Sequence, residues 1–91
     1  MSNSPRLSAL VLRCENLEAT ATFYRDLGLE LTQEQHGDGP IHYSCSVGDV
    51  LLELYPSTPA NGGLPRLTLD GLGEARLLTD PDGRRVEISG S

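Results

Sequence analysis

Only one stretch of this chain repeats at helical spacing, and nearly every other apolar run alternates instead. Leu17, Ala21, Tyr24 and Leu27 recur every three or four residues, and Phe23 widens the stripe they form. The spacing predicts a single helix over residues 17–27. Asn16 stands where an N-cap belongs, its side-chain oxygen placed to accept from a free N–H of the first turn, and Glu18 adds favourable charge there. Gly28 followed by Leu29 supplies the left-handed stop and its apolar contact. One helix among many strands predicts an α+β domain in which a sheet buries one face under that helix.

The strands follow from period-two alternation. Residues 7–14 place Leu10, Leu12 and Cys14 on one side and Ala9, Val11 and Arg13 on the other. Residues 29–35 read as a second strand, closed by the turn His36-Gly37-Asp38-Gly39-Pro40. Ile41, Tyr43, Cys45 and Val47 alternate with His42, Ser44 and Ser46, and Gly48-Asp49 turns the chain into residues 50–55. There Val50, Leu52 and Leu54 share the core face, which leaves Leu51, Glu53 and Tyr55 on the other. Residues 56–65 are rich in Pro, Gly, Ser and Thr around Asn61-Gly62-Gly63 and read as a linker. Beyond it come short strands at 66–69 and 75–79, then Asp80-Pro81-Asp82-Gly83, a type I turn into a last strand that puts Val86 and Ile88 opposite Arg85, Glu87 and Ser89.

Composition removes several classes of function. At 91 residues the chain makes one domain, 1–91, with one Phe, three Tyr and no Trp, so Leu, Val, Ile and Ala must build the core. A net charge of −6 with seven basic residues repels phosphate backbones and anionic headgroups, which argues against nucleic acid or membrane partners. No apolar run reaches the roughly 20 residues of a membrane span. The first five residues lack signal-peptide character, so a cytoplasmic location is expected. Cys14 and Cys45 lie in separate strands and read as buried free thiols. Gly-x-Ser-x-Gly, a Cys–His pairing and a phosphate-binding glycine loop are all missing from the sequence.

Three stretches, taken in order, resemble a known family. They are the helix with its Phe23-Tyr24 pair and Leu27-Gly28-Leu29 ending, the strand Val50-Leu51-Leu52-Glu53-Leu54-Tyr55, and the closing segment from Thr79 through Asp80-Pro81-Asp82-Gly83 to Ile88. Together they resemble the glyoxalase / bleomycin-resistance / extradiol-dioxygenase (vicinal oxygen chelate) superfamily. The resemblance implies a complete βαβββ module over 7–55, the linker at 56–65, and a second module at 66–89 reduced to short strands that end in a hairpin.

It also implies a site. Metal-dependent relatives carry one ligand on the first and one on the last strand of each module, facing a concave sheet. Carried over, the module-ending positions are Glu53 and Glu87, and the module-opening positions are Ala9 and Leu64, neither of which has a lone pair to offer. Glu53 and Glu87 are thus the implied catalytic or metal-binding pair, for Mg, Mn, Ni, Zn or Fe, in a glyoxalase-like lyase, isomerase or dioxygenase. With no metal, two close carboxylates would split into an acid and a base. The plainer reading leaves both solvated on a sheet face, paired with Arg13 or Arg85. A metal-free protein that binds and sequesters a small, drug-type cation is the alternative function.

Tyr55 shares the face of Glu53, and with Arg13 and His42 it completes the expected ligand-binding set, whereas Tyr43 reads as core. Glu34-x-His36 has the spacing to hold an ion, but a histidine in a glycine-rich turn reads as solvent-exposed. A lone sheet with one helix leaves a face and an edge bare, so a homodimer with the cleft near its interface is expected.

Overall fold

In the computed structural model, residues 5–57 and 64–90 are described; the centre of the linker, including Asn61-Gly62-Gly63, lies outside them. The elements run β1 (Ala9–Cys14), α1 (Leu17–Leu27), β2 (Thr32–Glu34), β3 (His42–Val47), β4 (Val50–Pro56), β5 (Leu67–Leu69), β6 (Arg76–Thr79) and β7 (Arg85–Ile88). They form two sheets, a four-stranded one ordered β1-β4-β3-β2 and a three-stranded one ordered β5-β7-β6. β1 runs parallel to β4, which the crossover through α1 permits, and β5 runs parallel to β7. The second sheet therefore repeats the strand logic of the first without its helix or outermost strand.

Alternation places the core as the sequence reading expects. Leu12, Cys14, Leu52, Leu54 and Tyr43 are buried together with Ala21 and Tyr24 of α1, and the same core continues into Leu67, Leu69, Val86 and Ile88 of the second sheet. Each buried Leu, Val or Ile among them contributes about 1.5–3 kcal/mol through burial. An apolar cleft of about 180 Å³ remains where the sheets meet, lined among others by Leu7, Leu10, Val47 and Leu67.

The helix has the expected bounds, but it is not capped as expected. Asn16 makes no side-chain cap bond. Its N–H and Nδ2 both donate to Asp82 Oδ1, at 3.0 and 3.3 Å, so the closing hairpin, rather than a first-turn N–H, orients the amide. Gly28 does end the helix at φ 119°, and a Cβ there would also meet Leu72 Cδ2 at 3.1 Å. β2 is shorter than residues 29–35 suggest. The Leu31 carbonyl is taken by Nε and Nη2 of Arg25, so strand pairing with β3 starts only at Thr32.

One tie between the two halves is polar and buried. Asp80 Oδ2 accepts from Tyr24 Oη at 2.7 Å and from Arg84 Nη1 at 3.0 Å, while Asp80 Oδ1 accepts from the N–H groups of Asp82 and Arg84. Arg84, only 1% exposed, also reaches Asp82 Oδ2 and the Arg13 carbonyl at the end of β1. Hairpin, helix and first strand are thereby fastened at one point. Burial, and after it the bond to Asp80, pushes the Tyr24 phenol far above its usual range. Burial also pushes the Cys14 thiol up to about 11, so neither group is reactive near neutral pH.

Candidate functional site

The face of the four-stranded sheet turned away from α1 carries the polar side chains in ordered rows. Register aligns Val11 with Glu53, Glu53 with Ser44, and Ser44 with Thr32, giving one row across all four strands. The next row begins with Arg13 opposite Tyr55 and ends with His42 opposite Glu34. It is joined in the middle by stacking: the His42 and Tyr55 rings lie 4.3 Å apart at 7°, and Arg13 Cζ sits 5.2 Å from the Tyr55 centroid. Arg13, Tyr55 and His42 are thus gathered in one place, one row from Glu53.

Glu53 is half-buried at the centre of this face. Among the described residues its carboxylate has no hydrogen-bond or ion-pair partner, and its neighbours Val11 and Leu51 are exposed apolar side chains. A free carboxylate beside apolar surface and the Ser44 and Thr32 hydroxyls can hold a cationic group while the body of a ligand covers Val11 and Leu51.

Glu87 lies on the other sheet. It aligns with Thr68 and Leu77, and its Oε1 accepts from Arg66 Nη2 at 3.0 Å. Its partner is therefore Arg66, neither Arg13 nor Arg85. Leu64 precedes β5 by three residues and Ala9 opens β1 opposite Leu51. The residue in register with Glu53 on β1 is Val11, and the one in register with Glu87 on β5 is Thr68. One free carboxylate, one carboxylate already held by arginine and apolar side chains at both opening positions do not fit a transition ion at these positions, since they supply too few donors and no imidazole.

Tyr43 is a core residue, as expected. Its hydroxyl nevertheless donates to Glu18 Oε1 at 2.6 Å, and that bond first, with burial second, raises its phenol. His36 is exposed, also as expected, while His42 is buried against its neighbours rather than lining an open surface. Two groupings are invisible to strand-by-strand reading. One is the Asp80–Arg84–Tyr24 tie, and the other is the approach of His42 to Glu34 and His36, which only the β2–β3 register creates. The signal for the second is Glu34-x-His36 followed by a five-residue spacer and His42 across a glycine turn.

A four-stranded 1-4-3-2 sheet covered by one helix and followed by a helix-less echo of itself defines a glyoxalase-type βαβββ architecture. The sequence agrees: residues 6–72 match the model of the Glyoxalase/Bleomycin resistance protein/Dioxygenase superfamily, and the chain belongs to that superfamily. Its structure is similar to a lactoylglutathione lyase from Agrobacterium tumefaciens (TM-score 0.63, 15% identity, 99% of this chain and 96% of that one). A glyoxalase family protein from Enterococcus faecalis is similar too (TM-score 0.65, 22% identity, 91% and 95%), as is the oxidase ChaP-H2 (TM-score 0.64, 17% identity, 97% and 94%). At these identities the likeness is one of fold. No curated protein matches the sequence.

Proposed function

We propose that this protein binds a small organic cation, without a metal, on the outer face of its four-stranded sheet. The observation that carries the reading is Glu53, a half-buried and unpaired carboxylate set among Val11, Leu51, Ser44 and Thr32. Tyr55, Arg13 and His42 form the wall beside it, and the net charge of −6 favours a cation over an anion. The ligand's charge meets Glu53 while its apolar or aromatic part covers Val11 and Leu51. A second copy of the chain supplies the opposite wall, because Val11 and Leu51 are 43% and 39% exposed and one sheet alone leaves them bare.

Calorimetric titration with a bleomycin-type glycopeptide and a set of aromatic ammonium ions tests the reading. Binding should occur in EDTA and fall at least about tenfold in Glu53→Gln, as expected for loss of a charge-assisted contact. Light scattering should give twice the chain mass. No binding by any cation, or equal binding by wild type and Glu53→Gln, would overturn it. Equal loss in Glu87→Gln would favour a site shared by Glu53 and Glu87, the pair from which acid–base chemistry could be built.

A further inference from the structure

The β2–β3 hairpin brings three metal-ligating side chains to one point, well apart in sequence from both Glu53 and Glu87. Register sets Glu34 opposite His42, and His36 lies two residues beyond Glu34 at the start of the turn. One donor atom from each of the three lies within 4.8 Å of the other two.

The informative member is His42. Its side chain is almost wholly enclosed, and its Nδ1 lies 3.2 Å from the Pro40 carbonyl oxygen, which can only accept, so Nδ1 carries the proton and donates. That leaves the lone pair on Nε2. This atom is buried with no hydrogen-bond partner among the described residues, yet it stands 3.3 Å from Glu34 Oε1. A buried lone pair facing the oxygen of a half-exposed carboxylate is repulsive unless a cation lies between them. A carbonyl that fixes the outer nitrogen while the inner one is left bare is also how metal-binding histidines are held in orientation.

A proton would need only these two groups, but a third donor is aimed at the same place. His36 Nε2 is 3.9 Å from the same Glu34 oxygen, and the two imidazoles lie 5.1 Å apart, centroid to centroid. Ligand atoms around a tetrahedral ion at about 2.0–2.1 Å sit roughly 3.3 Å from one another. The His42–Glu34 pair already has that spacing, and His36, 77% exposed, closes the remaining gap by rotating.

We propose that Glu34, His36 and His42 form a divalent transition-metal site with an open fourth position. Two imidazoles and one carboxylate suit Zn²⁺ or Ni²⁺ and discriminate against Mg²⁺. The ion pins the turn of the hairpin and holds the His42 ring that Tyr55 stacks upon. The site shares His42 with the wall of the cation-binding face but takes no ligand from Glu53, so it stands or falls without that reading.

The test is calorimetry on the untagged full chain with ZnCl₂ and NiCl₂, with MgCl₂ as control. The chain's two histidines both lie in this cluster, so any histidine NMR shift on adding Zn²⁺ reports on it directly. One Zn²⁺ per chain is expected, with shifted imidazole signals for both histidines, affinity at least about tenfold weaker in Glu34→Gln and His36→Ala, and no change in Glu53→Gln. His36 is exposed, so His36→Ala should keep the fold, and circular dichroism verifies that. No Zn²⁺ binding by the wild type, binding undiminished in His36→Ala, or binding lost in Glu53→Gln would each overturn the proposal.

Discussion

The cluster under the closing hairpin and the polar rows on the outer sheet face use similar residues to different ends. Under the hairpin, Asp80 receives four hydrogen bonds, Arg84 is enclosed, and the group holds three elements together. On the outer face Glu53 is unpaired and Arg13 lies loosely over a ring. A buried network whose carboxylate is filled with donors favours one particular packing, even with Arg84 Nε left unpartnered among the described residues, whereas a half-exposed carboxylate without a partner contributes little to stability and is available to a ligand. The difference separates what holds this fold together from what it can bind.

The largest effect should come from Arg84→Met, which leaves the Asp80 carboxylate buried beside Tyr24 without its counter-charge. A loss of about 3–5 kcal/mol is expected in urea unfolding, a large share of the total stability of a domain of this size. A loss under about 1 kcal/mol would mean that the cluster is not the fastening point. Tyr24→Phe should cost less, roughly 1.5–3 kcal/mol, because it removes one bond to a charged acceptor that keeps its other donors.

Acid should act through the same region. Burial opposes ionisation of Asp82, but the Asn16 N–H and the Arg84 guanidinium outweigh it and hold this carboxyl below the ordinary carboxylate range. A depressed carboxyl contributes stability that is complete above its unfolded-state pKa and lost as pH falls through the folded-state value. The urea midpoint should therefore drop as the pH is lowered below about 4, near the ordinary value of 3.8, and Asp82→Asn should flatten that limb. An unchanged limb in Asp82→Asn would place the acid sensitivity elsewhere. The smallest change in stability belongs to the other cluster: Glu53→Gln should alter unfolding by no more than about 0.5 kcal/mol while weakening cation binding.

Much of this contrast was legible in the sequence, though not all of it. The bounds of α1, the Gly28 stop and the two faces of β4 follow from local periodicity, because a side chain's face depends only on its own strand or helix. Local reading failed wherever a distant group competed. Asn16 reads as a cap until Asp82, 66 residues on, accepts from its N–H and Nδ2 and orients the amide, and β2 looks longer until Arg25 occupies the Leu31 carbonyl. The turn Asp80-Pro81-Asp82-Gly83 was recognisable as a turn, but nothing local says that Tyr24 and Arg84 converge on its first residue. Of the site residues, Tyr55, Arg13 and His42 came together because they share one sheet row. Glu53 and Glu87 lie on separate sheets, and how strands from different sheets meet is not written in either strand.

The most direct test follows amide signals of the ¹⁵N-labelled protein during titration with an aromatic ammonium ion. Shifts should concentrate at Val11, Arg13, Ser44, Glu53 and Tyr55 and leave Asp80 and Arg84 unmoved. Shifts confined to the apolar cleft at Leu7, Leu10, Val47 and Leu67 would contradict the assignment of the outer face as the binding surface.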